Sequence, residues 1–374
     1  MGFVSAPQLC QRLLLSPSLS SYPNPKPFSF ASLRCRSQSN PPSSYSSSAA
    51  AASSFTWDEA FALQDPASPS YSVEDPSDLL PYFHKVRLCN RGVEKRWEFQ
   101  PFVVDRGIAG YIHEGFAEHL RKFGDVFLFH REGSSAGRFG NHIELSPSLV
   151  SYEDRTDALA YVVKSLESGL IPGIRNELYP VRASFSGPVL LSLERAAAPY
   201  FGIKAYGVHM NGYVEKYGQH YLWIGKRSPE KQTYPGLLDH VVAGGLPHGV
   251  SCGENLMKEC EEEAYIPRNI SHRAIPVGAV SYCDIEGYRF KRDVLFCYDL
   301  ELPQSFEPIN QDGEVESFRL VPVSLVSNII RRTHFFKPNC SLVIMDFLFR
   351  HGYIKPEYSG YLNLLASLRS GDCS

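Results

Sequence analysis

The chain of 374 residues contains no apolar run near the roughly 18–20 residues that a membrane-spanning helix requires. Near its N-terminus the longest apolar stretch is Leu13 to Leu15, too short for the h-region of a secretory signal. Acidic residues are missing from the first 54 positions, Asp58 being the first carboxylate. Lysine and arginine form no block, and with a formal net charge of −3 the chain lacks the basic balance of a nucleic-acid binder. None of the nine cysteines forms a C-x-x-C pair, so no zinc site is expected. Cys89, Cys252, Cys260, Cys283, Cys297, Cys340 and Cys373 are widely spaced and read as reduced thiols packed as small apolar groups. No internal repeat is present.

What the N-terminus has in place of acid is serine, sixteen in the first 54 residues, with Arg12, Lys26, Arg34 and Arg36 as its basic groups. A serine-rich, acid-free leader with scattered arginine predicts an organelle transit peptide over residues 1–57, more plastid than mitochondrial, and disordered because it cannot bury enough apolar surface to fold. The address expected is the chloroplast stroma. Losing the four basic residues would take the net charge from −3 to −7.

Order is expected to begin near Asp75, where Asp75 or Ser77 precedes the apolar Leu79, Leu80, Tyr82 and Phe83. From residue 75 to 200 the pattern alternates: strands at 101–104 and 126–130, helices at 113–123 and 153–168, the second with Leu159, Val162, Val163 and Leu166 on one face. No catalytic motif falls there. From 201 to 356 a second α/β segment follows. Strands are expected at 205–214, 221–225, 239–242, 274–282 and 294–302, and helices at 251–264, 324–331 and 341–351. The fold class is therefore α+β, a mixed sheet sandwiched between helices preceded by a smaller α+β domain.

Chemistry concentrates between Gly244 and Ile266, where a loop with Gly244, Gly245 and Gly249 runs into a helix loaded with glutamate. At about 100° per residue, Glu259, Glu262 and Glu263 share one face, and Leu256, Met257, Cys260 and Ala264 form the apolar stripe beside it. Three carboxylates so close repel one another, at a few tenths of a kcal/mol per pair. A hard divalent cation, Mg²⁺ or Mn²⁺, would reverse that cost and share phosphate oxygens with a substrate. A solvated acidic face is the competing reading. The glycines favour the first, because they let backbone N–H groups approach phosphate near a helix N-terminus. Ser251 and Glu254 fit a capping box, which gives Glu254 a role at the helix start rather than at a metal.

This stretch resembles the Nudix box, G-x5-E-x7-R-E-U-x-E-E-x-G-U with U a bulky aliphatic residue, aligned without a gap from Gly244 to Ile266. Four positions depart from it: Val250 for the first Glu, Lys258 for Arg, Cys260 for an aliphatic residue and Tyr265 for Gly. The metal-binding glutamates carry over as Glu259, Glu262 and Glu263. Met210 to Val214, Leu222 to Ser228, Tyr234 to Asp239, Ala243 to Gly245 and Phe336 to Asn339 look like the Nudix proteins related to thiamin pyrophosphokinase, a branch in which a divergent box is usual. That resemblance implies a Nudix fold with its own N-terminal domain, about 300 residues in all. It also implies hydrolysis of oxidised, damaged thiamin diphosphate to the monophosphate, in plants in the chloroplast.

Around this core, further residues carry expectations with bland alternatives. Glu314 and Glu316 stand where an acidic residue near the metal is expected, Glu316 as the general base, or form a surface turn. Trp223, Tyr282 and Phe336 are candidates for stacking on a substrate ring, or core. Arg227, with Lys226 and Lys231, would balance diphosphate charge, and His248 would touch phosphate or sit idle in its loop. Gly244, Gly245, Trp223, Arg227 and Tyr282 make up the expected substrate-binding set. The partner expected is a small-molecule diphosphate, with no nucleic acid, membrane or protein partner indicated. Rival readings are a Nudix hydrolase of nucleoside diphosphate derivatives and a non-catalytic diphosphate-binding module. An isoprenyl-diphosphate isomerase would need a catalytic cysteine supported by a metal-binding histidine set, and no such histidine pattern is visible.

Overall fold

The computed structural model describes residues 55–73, 75–131 and 139–371. Residues 1–54 of the expected transit peptide lie outside them. Order starts earlier than the sequence suggested. Thr56 caps a short helix α1 (Trp57–Phe61) through a complete capping box with Glu59, and Phe55 is buried and stacked on Phe335 at 4.1 Å. The last three residues of the expected leader, 55–57, are thus part of the folded body. Their serine-rich neighbours mask the signal, since the partners that bury Phe55 are distant in sequence, Phe335 lying 280 positions away.

A first core forms around a four-stranded sheet in the order β2-β1-β4-β3. Its strands are β1 (Phe99–Val104), β2 (Gly107–His113), β3 (Phe127–His130) and β4 (His142–Leu145). The helices α3 (Glu114–Leu120) and α4 (Tyr152–Leu166) cover it. Ser151 and Asp154 close a capping box at the start of α4, and Leu159, Val162, Val163 and Leu166 are its buried stripe, as the 3.6-residue period requires. The ladder β5 (Leu178–Val181) with β6 (Leu191–Glu194) completes this part.

The second sheet has seven strands. The path β11-β12-β7-β8-β13 is extended by β10 on β7 and β9 on β8. The strands are β7 (Lys204–Lys216), β8 (Gln219–Arg227), β9 (Leu238–His240), β10 (Val242–Gly245), β11 (Ile275–Glu286), β12 (Arg289–Glu301) and β13 (Val315–Pro322). β7 and β12 run parallel and the other pairs antiparallel, so the sheet is mixed. Side chains alternate across it. Val208, Met210, Tyr298 and Leu300 pack towards α5 (Cys252–Ala264), near which the short α6 (Arg268–Ser271) follows. Leu295 and Cys297 pack on the other face, against α7 (Val323–Arg332) and α8 (Pro338–Arg350). The sandwich of helices around a mixed sheet is therefore present.

Two departures matter. The single strand expected at 239–242 is split, with β9 pairing β8 and β10 pairing β7. Helix α2 (Leu80–Cys89), read from sequence as the opening of the first domain, packs in the core of α7 and α8 instead, with Tyr82, Val86 and Cys89 buried there. The chain also continues usefully past residue 356. Leu364 of α9 (Tyr361–Ser367) and Leu368 are buried in that same core.

Candidate active site

Helix α5 begins at Ser251, whose Oγ accepts the Glu254 N–H at 3.2 Å, one half of the expected capping box. It ends at Tyr265, a non-glycine residue in the left-handed region (φ 53°), after which the Ile266 N–H reaches back to the Cys260 carbonyl at 2.8 Å. The glycine of the Nudix pattern falls at this residue. The left-handed cap explains why glycine is favoured there and what tyrosine costs, about 1 kcal/mol.

One turn of α5 lies against β10. Glu263 Oε2 accepts the Ala243 N–H at 2.8 Å. The Glu259 carboxyl lies so near Gly244 that a Cβ there would stand 2.4 Å from Glu259 Cδ. Asn255, fully buried on α5, donates to the Gly245 carbonyl at 3.0 Å and fixes the loop. The first core reaches the same place: a Cβ on Gly245 would stand 2.8 Å from the Tyr179 hydroxyl. Gly244 and Gly245 are thus required by close approach, of a carboxylate on one side and a phenol on the other.

The trio is not equivalent. Glu262 is half-exposed and paired with Lys258 at 2.7 Å. Glu259 and Glu263 face inward. Burial pushes the Glu263 carboxyl well above the usual carboxylate range; the Ala243 N–H pulls it back, and Glu259, Asp239 and Glu314 add to the rise. Burial also raises Glu259, against the pull of Lys258, and Glu262, Glu314 and Asp312 add to it. A cavity beside them is lined by Arg227, Asp239, His240, Ala243, Glu263 and Glu314.

Most of the charge around this cavity is already neutralised. Asp239 is paired with Arg227 at 2.7 Å and with Lys337 at 3.1 Å. Although burial works against its charge, Lys337, His240 and Arg227 hold its carboxyl well below the ordinary value. Glu314 is paired with Lys231. Glu259 and Glu263 remain under-compensated, with Lys258 3.8 Å from Glu259. Oxygen donors carrying unbalanced negative charge suit a hard divalent cation, so these residues fit the metal that the sequence implied.

Several expected residues are not brought there. Glu316 turns to Lys226 at 3.2 Å and is absent from the cavity wall, where Glu314 stands instead. Trp223 packs on the α5-side core, its Nε1 buried without a hydrogen-bond partner. Tyr282 lies in the α8-side core, its hydroxyl bonded to Asp293 and to Asn339. Phe336 is also core. Arg227 lines the cavity, yet its donors are spent on Asp239 and on the carbonyls of Thr233 and Tyr234. His248 faces the Tyr152 hydroxyl at 3.2 Å. Sequence reasoning missed Asp239, the residue on which three of the quoted stretches converge through Arg227, Asp239 itself and Lys337. Its signal was its place inside Tyr234 to Asp239, a stretch quoted without a role.

Comparison with known proteins gives a consistent set of relatives. A family described as "Domain of unknown function (DUF4743)" matches residues 81–205. The chain is 62% identical to "Nudix hydrolase 20, chloroplastic" of Arabidopsis thaliana over 86% of this chain and 85% of that one. It is 58% identical to "Nudix hydrolase 24, chloroplastic" of the same plant, over 86% of each. Among solved structures, the NUDIX domain of Shewanella oneidensis NrtR complexed with ADP ribose is similar at 14% identity and a TM-score of 0.32, over 40% of this chain and 90% of that one.

Proposed function

The chain belongs to the Nudix hydrolases, enzymes that cleave diphosphate substrates, and we propose that its own substrate is oxidised thiamin diphosphate, cleaved to the monophosphate in the plastid. The reaction class is carried by one observation: Glu259 and Glu263 face inward against a glycine strand, with more negative charge than their surroundings balance. Glu259, Glu263 and, from the rim, Glu262 would hold Mg²⁺ or Mn²⁺. When bound, the ion supplies Lewis-acid polarisation of the phosphate oxygens and a more acidic water.

The chain's own residues do the rest. Gly244 and Gly245 let the Glu259 carboxyl and the Tyr179 hydroxyl close on the strand, where a Cβ would stand 2.4 Å from the first and 2.8 Å from the second. Ala243 donates its N–H to Glu263 and holds that carboxylate in one orientation. Glu314, on the cavity wall and paired with Lys231, would take a proton from an attacking water. The products are two phosphate groups where one anhydride stood, water having supplied the oxygen.

The substrate assignment rests on the branch resemblance. It is supported by the way the stretches that carry it, Leu222 to Ser228, Tyr234 to Asp239 and Phe336 to Asn339, join at the Arg227–Asp239–Lys337 ion pairs beside Glu263. The plastid assignment rests on the composition of residues 1–54 and on the names of the two Arabidopsis relatives. The test compares kcat/KM on oxidised thiamin diphosphate, intact thiamin diphosphate, ADP-ribose and dinucleotides, with Mg²⁺ and with Mn²⁺. The oxidised compound should give the highest value. Highest efficiency on ADP-ribose or a dinucleotide would remove the thiamin reading and leave the hydrolase.

A further inference from the structure

Behind the catalytic cavity four side chains of a different chemical kind meet. His209 comes from β7, Asp239 and His240 from β9, and Cys340 from the first turn of α8. None is more than 6% exposed. Each turns one donor atom inward, and all four atoms lie within 4.8 Å of one another. His209 Nδ1 is 3.1 Å from His240 Nδ1. Asp239 Oδ1 is 3.8 Å from His240 Nδ1 and 2.7 Å from Cys340 Sγ. The two Nδ1 atoms face each other, so at most one carries a proton and the other presents a lone pair to the cluster.

We propose that His209, Asp239, His240 and Cys340 form a four-coordinate zinc site, separate from the carboxylate site on α5. The donor set of two imidazoles, one carboxylate and one thiol is too soft for Mg²⁺ and suits Zn²⁺. Zinc–ligand bonds of about 2.0–2.3 Å place tetrahedral ligands about 3.3–3.8 Å apart. The observed separations reach that range by shifts of an ångström or less. Asp239 is prepared for the task. Arg227 and Lys337 both donate to its Oδ2, while Oδ1, which accepts the His240 backbone N–H at 2.9 Å, is turned towards the sulfur and the imidazole. Binding would displace the thiol proton of Cys340, so a thiolate would join the carboxylate as a second anionic ligand.

With all four positions filled by protein, the site is structural rather than catalytic. It would lock β7, β9 and the start of α8 together, and so hold the wall of the cavity that Asp239 and His240 share with Glu263. A second group, His130, His142 and Glu144, is less suited: two of its members are part-exposed, and His142 Nδ1 is bonded to the Gly140 carbonyl at 2.8 Å. The zinc inference does not depend on which diphosphate is cleaved.

The experiment is metal analysis of the full chain, prepared without a histidine tag and dialysed into metal-free buffer. About one tightly held zinc per chain is expected. Replacement by Co²⁺ should give the intense thiolate-to-cobalt charge-transfer absorption together with tetrahedral d–d bands. Cys340→Ser should lose the charge-transfer band, and Glu259→Gln should keep it. Folded wild-type protein that takes up no zinc on titration overturns the proposal. So does zinc that yields no thiolate band on cobalt exchange, because the ion would then sit on oxygen and nitrogen ligands elsewhere. The wild-type spectrum decides the matter even if a variant fails to fold.

Discussion

Glu263→Gln and Glu259→Gln each keep the shape of a side chain while removing a charge that its surroundings balance only in part. Turnover should fall by roughly two to three orders of magnitude in either, the loss of several kcal/mol of charge stabilisation. Circular dichroism should be unchanged, and rates near wild type would take both residues out of the site. The general base is settled at the same scale. Glu314→Gln should lower kcat by at least about tenfold, in the lower range of general-base effects, and Glu316→Gln should leave it within a factor of about two, because Glu314 lines the cavity and Glu316 does not. The reverse order would restore Glu316 to the role its sequence position suggested. Sequence favoured Glu316 because nothing in the string marks the register shift between Val315 and Ser317. A bulge breaks the two-residue alternation and re-aims the side chains around it.

At the scale of elements, α5 was the most legible part of the chain. Its cap, its apolar stripe and its carboxylate face all follow from 3.6 residues per turn, and the helix runs from Cys252 to Ala264 as the pattern required. Its C-terminus also explains a departure from the family pattern. Tyr265 occupies a left-handed position, more than half exposed, that glycine enters without strain. Tyr265→Gly should therefore raise stability by about 1 kcal/mol in denaturant unfolding, with kcat unchanged. A loss of stability would mean that the tyrosine ring makes a contact worth more than the backbone strain. The split between β9 and β10 was not legible, since each short strand is chosen by its partner and not by its own three or four residues.

For the whole molecule, the raised carboxyl of Glu263 makes stability depend on pH. In the folded chain this group keeps its proton to a higher pH than in the unfolded chain, where it titrates near 4.5. Between those two values the folded state binds more protons, so the contribution is fully present below pH 4.5 and is lost as pH rises through the folded value. Metal-free wild type should thus lose Tm relative to Glu263→Gln as pH is raised from about 5 towards neutrality. Adding Mg²⁺ should restore wild type and not the variant. Parallel Tm curves for the two proteins would show that Glu263 is ionised without help. The N-terminal helices belong to this scale too: α1 and α2 complete the core of α7 and α8, although the first sheet lies between them in sequence.

The sequence by itself determined the class of fold and the helix that carries the carboxylates, because both follow from local periodicity and from residues close in the chain. The tertiary structure alone decided which residues share the site. It put Glu314 rather than Glu316 on the cavity wall, packed Trp223 and Tyr282 against opposite cores, and joined Arg227, Asp239 and Lys337. It also brought His209, Asp239, His240 and Cys340 together from three elements up to 131 positions apart. Those meetings depend on strand pairing and register between distant segments, and the free energy that selects them comes from burial summed over whole cores, which no short stretch of sequence carries.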